Sequence, residues 1–416
     1  MAAAVLSNIN NGYGIKKISQ EYIVKGHHVE RKYSISLSTP HSEQRRFRNS
    51  HWTRSCYDKT FTSILRSKKE NGHHGNLLKC RAETEYATIA PNEETTYTVK
   101  EEEEELSRAT LIWRAAKLPM YTVALIPVTV GTAAAYWQTG IFSFARYLAI
   151  LASYVIVIAW VNLSNDVYDF DTGADVNKKE SVVNLFGGRT VINIVAWSLL
   201  ALGFGGLSWV AVAAGSLRSI SFLAFAVFCF YLYQCPPFRL SYYGVGEPLL
   251  FVAFGPLSTI PFYLLNSGAS ELPISGTVGW ASVLVGLTTS LILFCSHFHQ
   301  IDDDKAVGKI SPLVRLGTEA GSEVVKVSII GLYSLLLGLG ITQALPLASV
   351  ILGVMTLPLG NLVVSFVKKN HKDKSKIFMG KYYSVRLHTV FGAALAAGLV
   401  AARMFSGQPL PPPLVV

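Results

Sequence analysis

The sequence predicts an all-α polytopic membrane protein, with about nine transmembrane helices behind a basic leader. Three observations carry that expectation. Half of the 416 residues are hydrophobic and only 15% are Asp, Glu, Lys or Arg, against about 25% in a soluble domain. From Pro119 onward, apolar segments recur at a length near the ~20 residues that a helix needs to cross a bilayer. The charge is also segregated: residues 1–81 hold 15 Lys/Arg against 5 Asp/Glu, and residues 82–416 hold 22 of each. The whole formal charge of +10 therefore sits in the first fifth of the chain. A basic composition confined in this way excludes a nucleic-acid-binding body, so no nucleic-acid partner is expected. Cys56, Cys80, Cys229, Cys235 and Cys295 show neither C-x-x-C nor metal-like spacing, which argues against a disulfide scaffold or a zinc site.

The elements follow in order. Residues 1–81 contain ten Ser, scattered Arg, few acids and no continuous apolar run. That is the composition of an organellar transit peptide rather than a secretory signal; Met1-Ala-Ala-Ala4 with an early Ser favours a plastid. This leader is expected to be unfolded. Residues 82–109 form a polar linker whose Glu101–Glu105 run is a solvated stretch ahead of the membrane domain, 110–405. The spans are expected near 119–138, 144–165, 190–214, 217–235, 247–266, 276–299, 323–344, 347–367 and 387–405. Gly255-Pro256, Pro261 and Pro358 interrupt some of them, as membrane helices tolerate. The ~10-residue alternating segments of a β-barrel are absent. The tail, 406–416, is Pro-rich and expected to be extended.

Nine spans put the chain ends on opposite sides. The N-terminal side then receives eighteen Lys/Arg, including Lys368–Arg386, and the other side only Arg146, Arg218 and Arg403. This positive-inside asymmetry supports the topology. The basic cluster suits anionic membrane lipid.

The same side collects two acidic patches. Asn162, Asn165, Asp166, Asp169, Asp171 and Asp175 lie where span two meets its loop. Asn162, Asp166 and Asp169 share one face if the helix continues. The second patch closes span six: His297, His299, Gln300, Asp302, Asp303 and Asp304, followed by Lys309 and Arg315. Both spans run in the same direction, four spans apart, so the patches lie at one level and hint at an internal duplication. Carboxylates crowded at a membrane boundary need compensation. Mg2+ supplies it with one or two carboxylates per ion, leaving positions for phosphate oxygens, while Arg189, Arg239, Lys309 and Arg315 can neutralise the rest of a diphosphate. A proton-coupled transporter would carry its acids at mid-span; here they cluster at one face.

These residues resemble the UbiA superfamily of intramembrane prenyltransferases, which carries N-D-x-x-D after its second helix and D-x-x-x-D after its sixth, in nine helices around a central cavity. Asn165-Asp166-x-x-Asp169, with Asp175 beyond, matches the first motif. The second is present at Asp304, followed by Gly308-Lys309 and Arg315-Leu-Gly317, but Gln300 occupies its first position; either Asp302 or Asp303 substitutes, or fewer protein charges hold that metal. The likeness covers about 110–405.

Finer features resemble the branch that prenylates 1,4-dihydroxy-2-naphthoate: Lys117-Leu-Pro119, Asn184-Leu-Phe-Gly187-Gly188-Arg189, and Pro236-Pro237-Phe-Arg239 running to Gly246-Glu247. His297-Phe-His299-Gln300, together with the leader, resembles the plant plastid form. The resemblance implies phytyl transfer from phytyl diphosphate to that naphthoate, with loss of diphosphate and CO2, toward phylloquinone, in a chloroplast membrane with the motif loops facing the stroma. It implies Mg2+ on Asp166, Asp169, Asp304 and Asp175, and substrate contacts from Asn162, Asn165, Lys117, Arg189, Arg239, Gln300, Lys309 and Arg315. His297 or His299 would take a phenolic proton or orient the acceptor. Homogentisate or chlorophyllide as acceptor, and a non-catalytic transporter or assembly factor, are the alternatives.

Overall fold

A computed structural model describes residues 14–25, 28–38, 111–112, 115–174, 178, 181–267 and 273–407. The chain divides into two units, Met1–Glu105 and Leu106–Val416. The linker 82–109, the tail from residue 408 and Asp175 lie outside the described residues.

The first unit holds the residues that the sequence reads as the leader. Strands β1 (Gly14–Lys25) and β2 (His28–Ser38) pair antiparallel, with Tyr22 opposite Arg31 and Val24 opposite Val29. The segment is rich in Ile, Val and Tyr, which favour strands. Two strands alone are marginal in water.

The second unit is helical. Among the described residues, nine helices are long and apolar enough to cross a membrane: Leu118–Thr139, Phe144–Thr172, Arg189–Ala213, Leu217–Gln234, Gly246–Asn266, Gly276–His297, Pro312–Ile341, Leu347–Asn370 and Lys374–Phe405. They match the expected spans in number and order. Three boundaries differ in ways that matter for the site. The second span runs seven residues further than expected, to Thr172, where Gly173 ends it in the left-handed region (φ 81°), as glycine commonly does after a helix. Asn162, Asp166 and Asp169 thus do share a continuous helix. The sixth span stops at His297, and a short helix, Ile301–Ala306, carries Asp304. The seventh begins at Pro312, capped by the Ser311 hydroxyl accepting from the Val314 N–H, and bends at Gly317. Its polar first turns hid that start from hydropathy.

The spans pack through two apolar clusters. One, built mainly from spans one, six, seven, eight and nine, includes Tyr263, Leu284, Leu336 and Phe391. The other is built on spans one to five around Tyr154, Trp160, Phe230 and Phe262. Leu202, Trp209 and Ile341 are exposed, as helices that face lipid require. Lipid gives little hydrophobic force between helices, so close packing and polar links hold them. Tyr154 Oη and Ser258 Oγ lie 2.7 Å apart between spans two and five. Thr288 Oγ1 and His388 Nδ1 lie 2.8 Å apart between spans six and nine.

Two glycines stand against the backbone of a neighbouring span. A Cβ on Gly131 would stand 2.6 Å from the Thr259 carbonyl oxygen, and one on Gly398 would overlap Ser349 Cα; one on Gly338 meets nothing within 4 Å. Overpacking costs typically about 1–3 kcal/mol, more where backbone must move. Gly131→Val and Gly398→Val should each lower the melting temperature in detergent by several degrees, while Gly338→Val should leave it nearly unchanged; differential scanning fluorimetry reads the difference.

Candidate active site

The first acidic motif is held by lysines. Asp166 is fully buried. Its Oδ1 accepts from Lys117 Nζ at 2.7 Å, with Lys178 Nζ at 3.6 Å, and its Oδ2 accepts from the Val182 N–H at 3.2 Å. Lys117 stands in the left-handed region (φ 49°) just before the turn that opens span one; the chain there reverses to bring its ammonium onto span two. Asn162, one turn earlier, reaches the Tyr121 phenol, and its Nδ2 is buried without a partner. Asn165 and Asp169 are half-buried on the same helix.

The second motif repeats the arrangement. Asp304 is 3% exposed and Lys309 7%; Lys309 Nζ lies 3.2 Å from Asp304 Oδ1, and the Lys309 N–H donates to the Asp304 carbonyl at 2.9 Å. Asp304 Oδ2 is buried without a partner. Burial opposes the Lys309 ammonium, but the Tyr233 phenol and the Asp304 and Asp169 carboxylates outweigh it and raise its pKa. Lys309 therefore stays charged and feels carboxylates from both motifs at once. Tyr233, near the end of span four, is likewise within electrostatic reach of Lys309, Asp169, Glu247 and Asp304. The two patches converge, as their shared level predicts.

Backbone and hydroxyl contacts fix that convergence. Tyr242 Oη donates to Thr172 Oγ1 at 2.6 Å at the end of span two, and the Ile310 N–H donates to the Tyr242 carbonyl at 2.8 Å. The segment after span four thus ties one motif to the other. Lys309 also lies 5.9 Å from the Tyr242 ring centre.

The remaining expected residues divide. Arg239, half-buried with φ 43°, sits in electrostatic range of Cys235 and Tyr242, and its Nε is buried without a hydrogen-bond partner; it is free to meet an anion. Arg189 instead makes a two-point contact with Asp171, at 2.9 and 2.5 Å. Arg315 is exposed and donates to the Tyr243 carbonyl at 2.8 Å, and its guanidinium flanks Gly244, so it braces the loop. Gln300 caps the Ile301–Ala306 helix through its carbonyl, which accepts from the Asp304 N–H at 2.7 Å. Asp302 and Asp303 are exposed, and Asp303 pairs with Lys374 at 3.0 Å; neither side chain is buried beside Asp304.

The two histidines differ sharply. His299 packs edge-on to Phe378, and burial, with the charges of Lys381 and Lys178, pushes its pKa down to about 2. It remains neutral. His297 places Nδ1 3.2 Å from Glu247 Oε1. Glu247 had no assigned role in the sequence; its signals were a lone acid in the first turn of a membrane span and its place beside Gly246, against which Tyr233 packs.

Among the described residues, no three His, Cys, Asp or Glu side chains form a ready metal cluster. The donor set still fits a cation that takes few protein ligands and several phosphate or water oxygens: Asp304 Oδ2 is a buried, unpartnered carboxylate oxygen, and Asp169 shares the field of the same lysine.

A helical membrane domain with paired acids and lysines gathered at one boundary is the architecture of an intramembrane enzyme that handles an anionic substrate group. Residues 124–407 match the UbiA prenyltransferase family, and the chain belongs to it. The chloroplastic 2-carboxy-1,4-naphthoquinone phytyltransferase of Arabidopsis thaliana is 62% identical over 305 residues, 73% of this chain and 80% of that protein. The 2-carboxy-1,4-naphthoquinone phytyltransferase of Synechocystis is 41% identical over 288 residues, 69% of this chain and 92% of that protein. A solved UbiA homologue from Archaeoglobus fulgidus aligns with a TM-score of 0.49 at 16% identity, over 72% of this chain and all of that one.

Removing Lys309 strands a buried carboxylate, which typically costs about 3–5 kcal/mol. Lys309→Met should therefore melt well below the parent protein, Asp304→Asn/Lys309→Met should recover part of the loss, and Lys305→Met, exposed on the same segment, should change little.

Proposed function

We propose that this chain transfers the phytyl group of phytyl diphosphate to 1,4-dihydroxy-2-naphthoate. Diphosphate and CO2 are released, and the product is the demethyl precursor of phylloquinone. The observation that carries this reading is the meeting of Asp169 and Asp304 on Lys309 beside the Lys117–Asp166 pair, in a chain 62% identical to a plastid phytyltransferase. The proposed setting is a chloroplast membrane, with the motif loops toward the stroma and residues 1–81 as the transit peptide.

The relatives are named for the oxidised ring, 2-carboxy-1,4-naphthoquinone. A ring that attacks an allylic cation must be electron-rich, so the reacting acceptor is the quinol form, 1,4-dihydroxy-2-naphthoate. Asp166, Asp169 and Asp304, with Asn162 and Asp175 assisting, would hold Mg2+. Bound there, Mg2+ supplies positive charge against the diphosphate as it leaves. Lys117, Lys178, Lys309 and Arg239 bind diphosphate oxygens and stabilise the charge that develops on them. The allylic C–O bond breaks with its electron pair on the diphosphate, and a ring carbon bonds the allylic carbon. Apolar helix walls exclude water, which would otherwise capture the cation. His297 would take the acceptor's phenolic proton or orient the ring; His299, which burial keeps neutral, would orient it rather than accept a proton.

Membranes carrying the chain should make phytylated naphthoquinol from phytyl diphosphate, dihydroxynaphthoate and Mg2+, as read by chromatography and mass spectrometry. Asp166→Ala should lower the rate by at least about 10³-fold while the protein still inserts. Product from homogentisate instead would keep the donor chemistry and replace the acceptor; no product from either would overturn the reading.

Chelation offers a separate check. EDTA should abolish turnover and added Mg2+ should restore it, whereas turnover that persists in EDTA would remove the metal from the proposal.

A further inference from the structure

Glu247 and His297 stand apart from the lysine-held acids. Glu247 lies in the first turn of span five, and His297 is the last residue of span six. Their side chains are 14% and 4% exposed, with Nδ1 and Oε1 3.2 Å apart. Beyond that ion-pair contact, both Glu247 carboxylate oxygens and His297 Nδ1 are buried without hydrogen-bond partners. The Ser290 hydroxyl, on span six, donates to the Glu247 backbone carbonyl at 3.1 Å, which fixes the two spans against each other at this point. Glu247 also shares the electrostatic surroundings of Tyr233 with Lys309, Asp169 and Asp304. The pair therefore borders the diphosphate site without belonging to either acidic motif.

We infer that Glu247 and His297 form a carboxylate–imidazole dyad that takes the hydroxyl proton of the aromatic acceptor, with Glu247 as the positioning residue and His297 as the proton acceptor. The inference rests on the phytyl-transfer reading above. A carboxylate facing Nδ1 holds the proton on that nitrogen and leaves Nε2 as the base, the logic of base and orienter seen in activated nucleophile systems. The position of the two groups favours the transfer. The C-terminal end of a helix stabilises an imidazolium, and the N-terminal end of a helix stabilises a carboxylate; spans six and five supply one end each. As the ring carbon bonds the allylic carbon, the acceptor O–H bond breaks and its proton passes to His297. The oxygen becomes a carbonyl, and the electron pair of the broken allylic C–O bond leaves with the diphosphate. Atoms and charge balance without an oxidant, because the ring returns to aromaticity in the later loss of CO2.

The test uses the full chain in membranes, comparing the parent protein with Glu247→Gln, His297→Gln and the double variant. Two quantities are read: kcat with dihydroxynaphthoate, and Mg2+-dependent binding of phytyl thiolodiphosphate, a donor analogue that resists cleavage. The dyad predicts that each single variant loses about 10²-fold in kcat, that the double variant loses no more than the worse single one, and that analogue binding is unchanged. It also predicts that the defect shrinks with a naphthol acceptor whose hydroxyl is more acidic, since an ionised hydroxyl needs no base. A defect in analogue binding would make Glu247 part of the donor site and overturn the inference. So would multiplicative losses, or a defect indifferent to acceptor acidity, which mark a structural role. Unchanged kcat in an active protein would discard the dyad alone, while an inactive parent protein would discard the phytyl-transfer reading with it.

Discussion

An ionised carboxylate taken out of water at a membrane boundary must find a cation, and that requirement organises the second unit. The effective penalty is several kcal/mol per ion unless a partner is fixed in place. Asp166 and Asp304 each meet it with a lysine: Asp166 with Lys117, from ahead of span one, and Asp304 with Lys309, further along the same connection beyond span six. These pairs fix where those segments run. The left-handed turn at Lys117, the Asp304–Lys309 backbone bond and the Tyr242 bridge accompany that placement of the ammonium groups.

The same arrangement explains why a prenyl diphosphate would need metal ions with it. Four carboxylates, Asp166, Asp169, Asp304 and Glu247, face four cations, Lys117, Lys178, Lys309 and Arg239, in and around the site. Such a site is close to neutral, and a diphosphate would bring several negative charges into it. Neutralisation must then arrive with the substrate, and divalent cations that accept phosphate and carboxylate oxygens together do so at the least cost in protein ligands. The unpartnered Asp304 Oδ2 is the group most ready to share in that exchange.

Hydropathy made the helical unit legible because its signal is long-range: about twenty apolar residues in a row have few other readings. All nine spans were visible, including the fifth, which breaks at Gly255. The ends were less visible, because polar helix turns outside the bilayer look like loop. That is why the start of span seven, through Arg315 and Gly317, was read as connection. At the site, the helical spacing of Asn162, Asp166 and Asp169 was readable from sequence. Pairing partners were not: nothing local says that Arg189 meets Asp171 while Lys117, forty-nine residues away, meets Asp166. Glu247 escaped for a related reason. Its meaning depends on span six ending beside it, a relation between two helices that only packing creates.

Which group can change its protonation during the reaction follows from the same electrostatics. Asp166 and Asp304 are each held by a lysine ammonium. His299 is buried, with Lys381, Lys178 and Lys374 acting on it, and stays neutral, because a further positive charge there meets both desolvation and repulsion. His297 faces the opposite field, with a carboxylate against Nδ1 and a helix C-terminus behind it. A proton arriving there completes an ion pair rather than creating an isolated charge. The other acids stand against lysines, so the proton is assigned to the junction of spans five and six, where an imidazole meets a carboxylate.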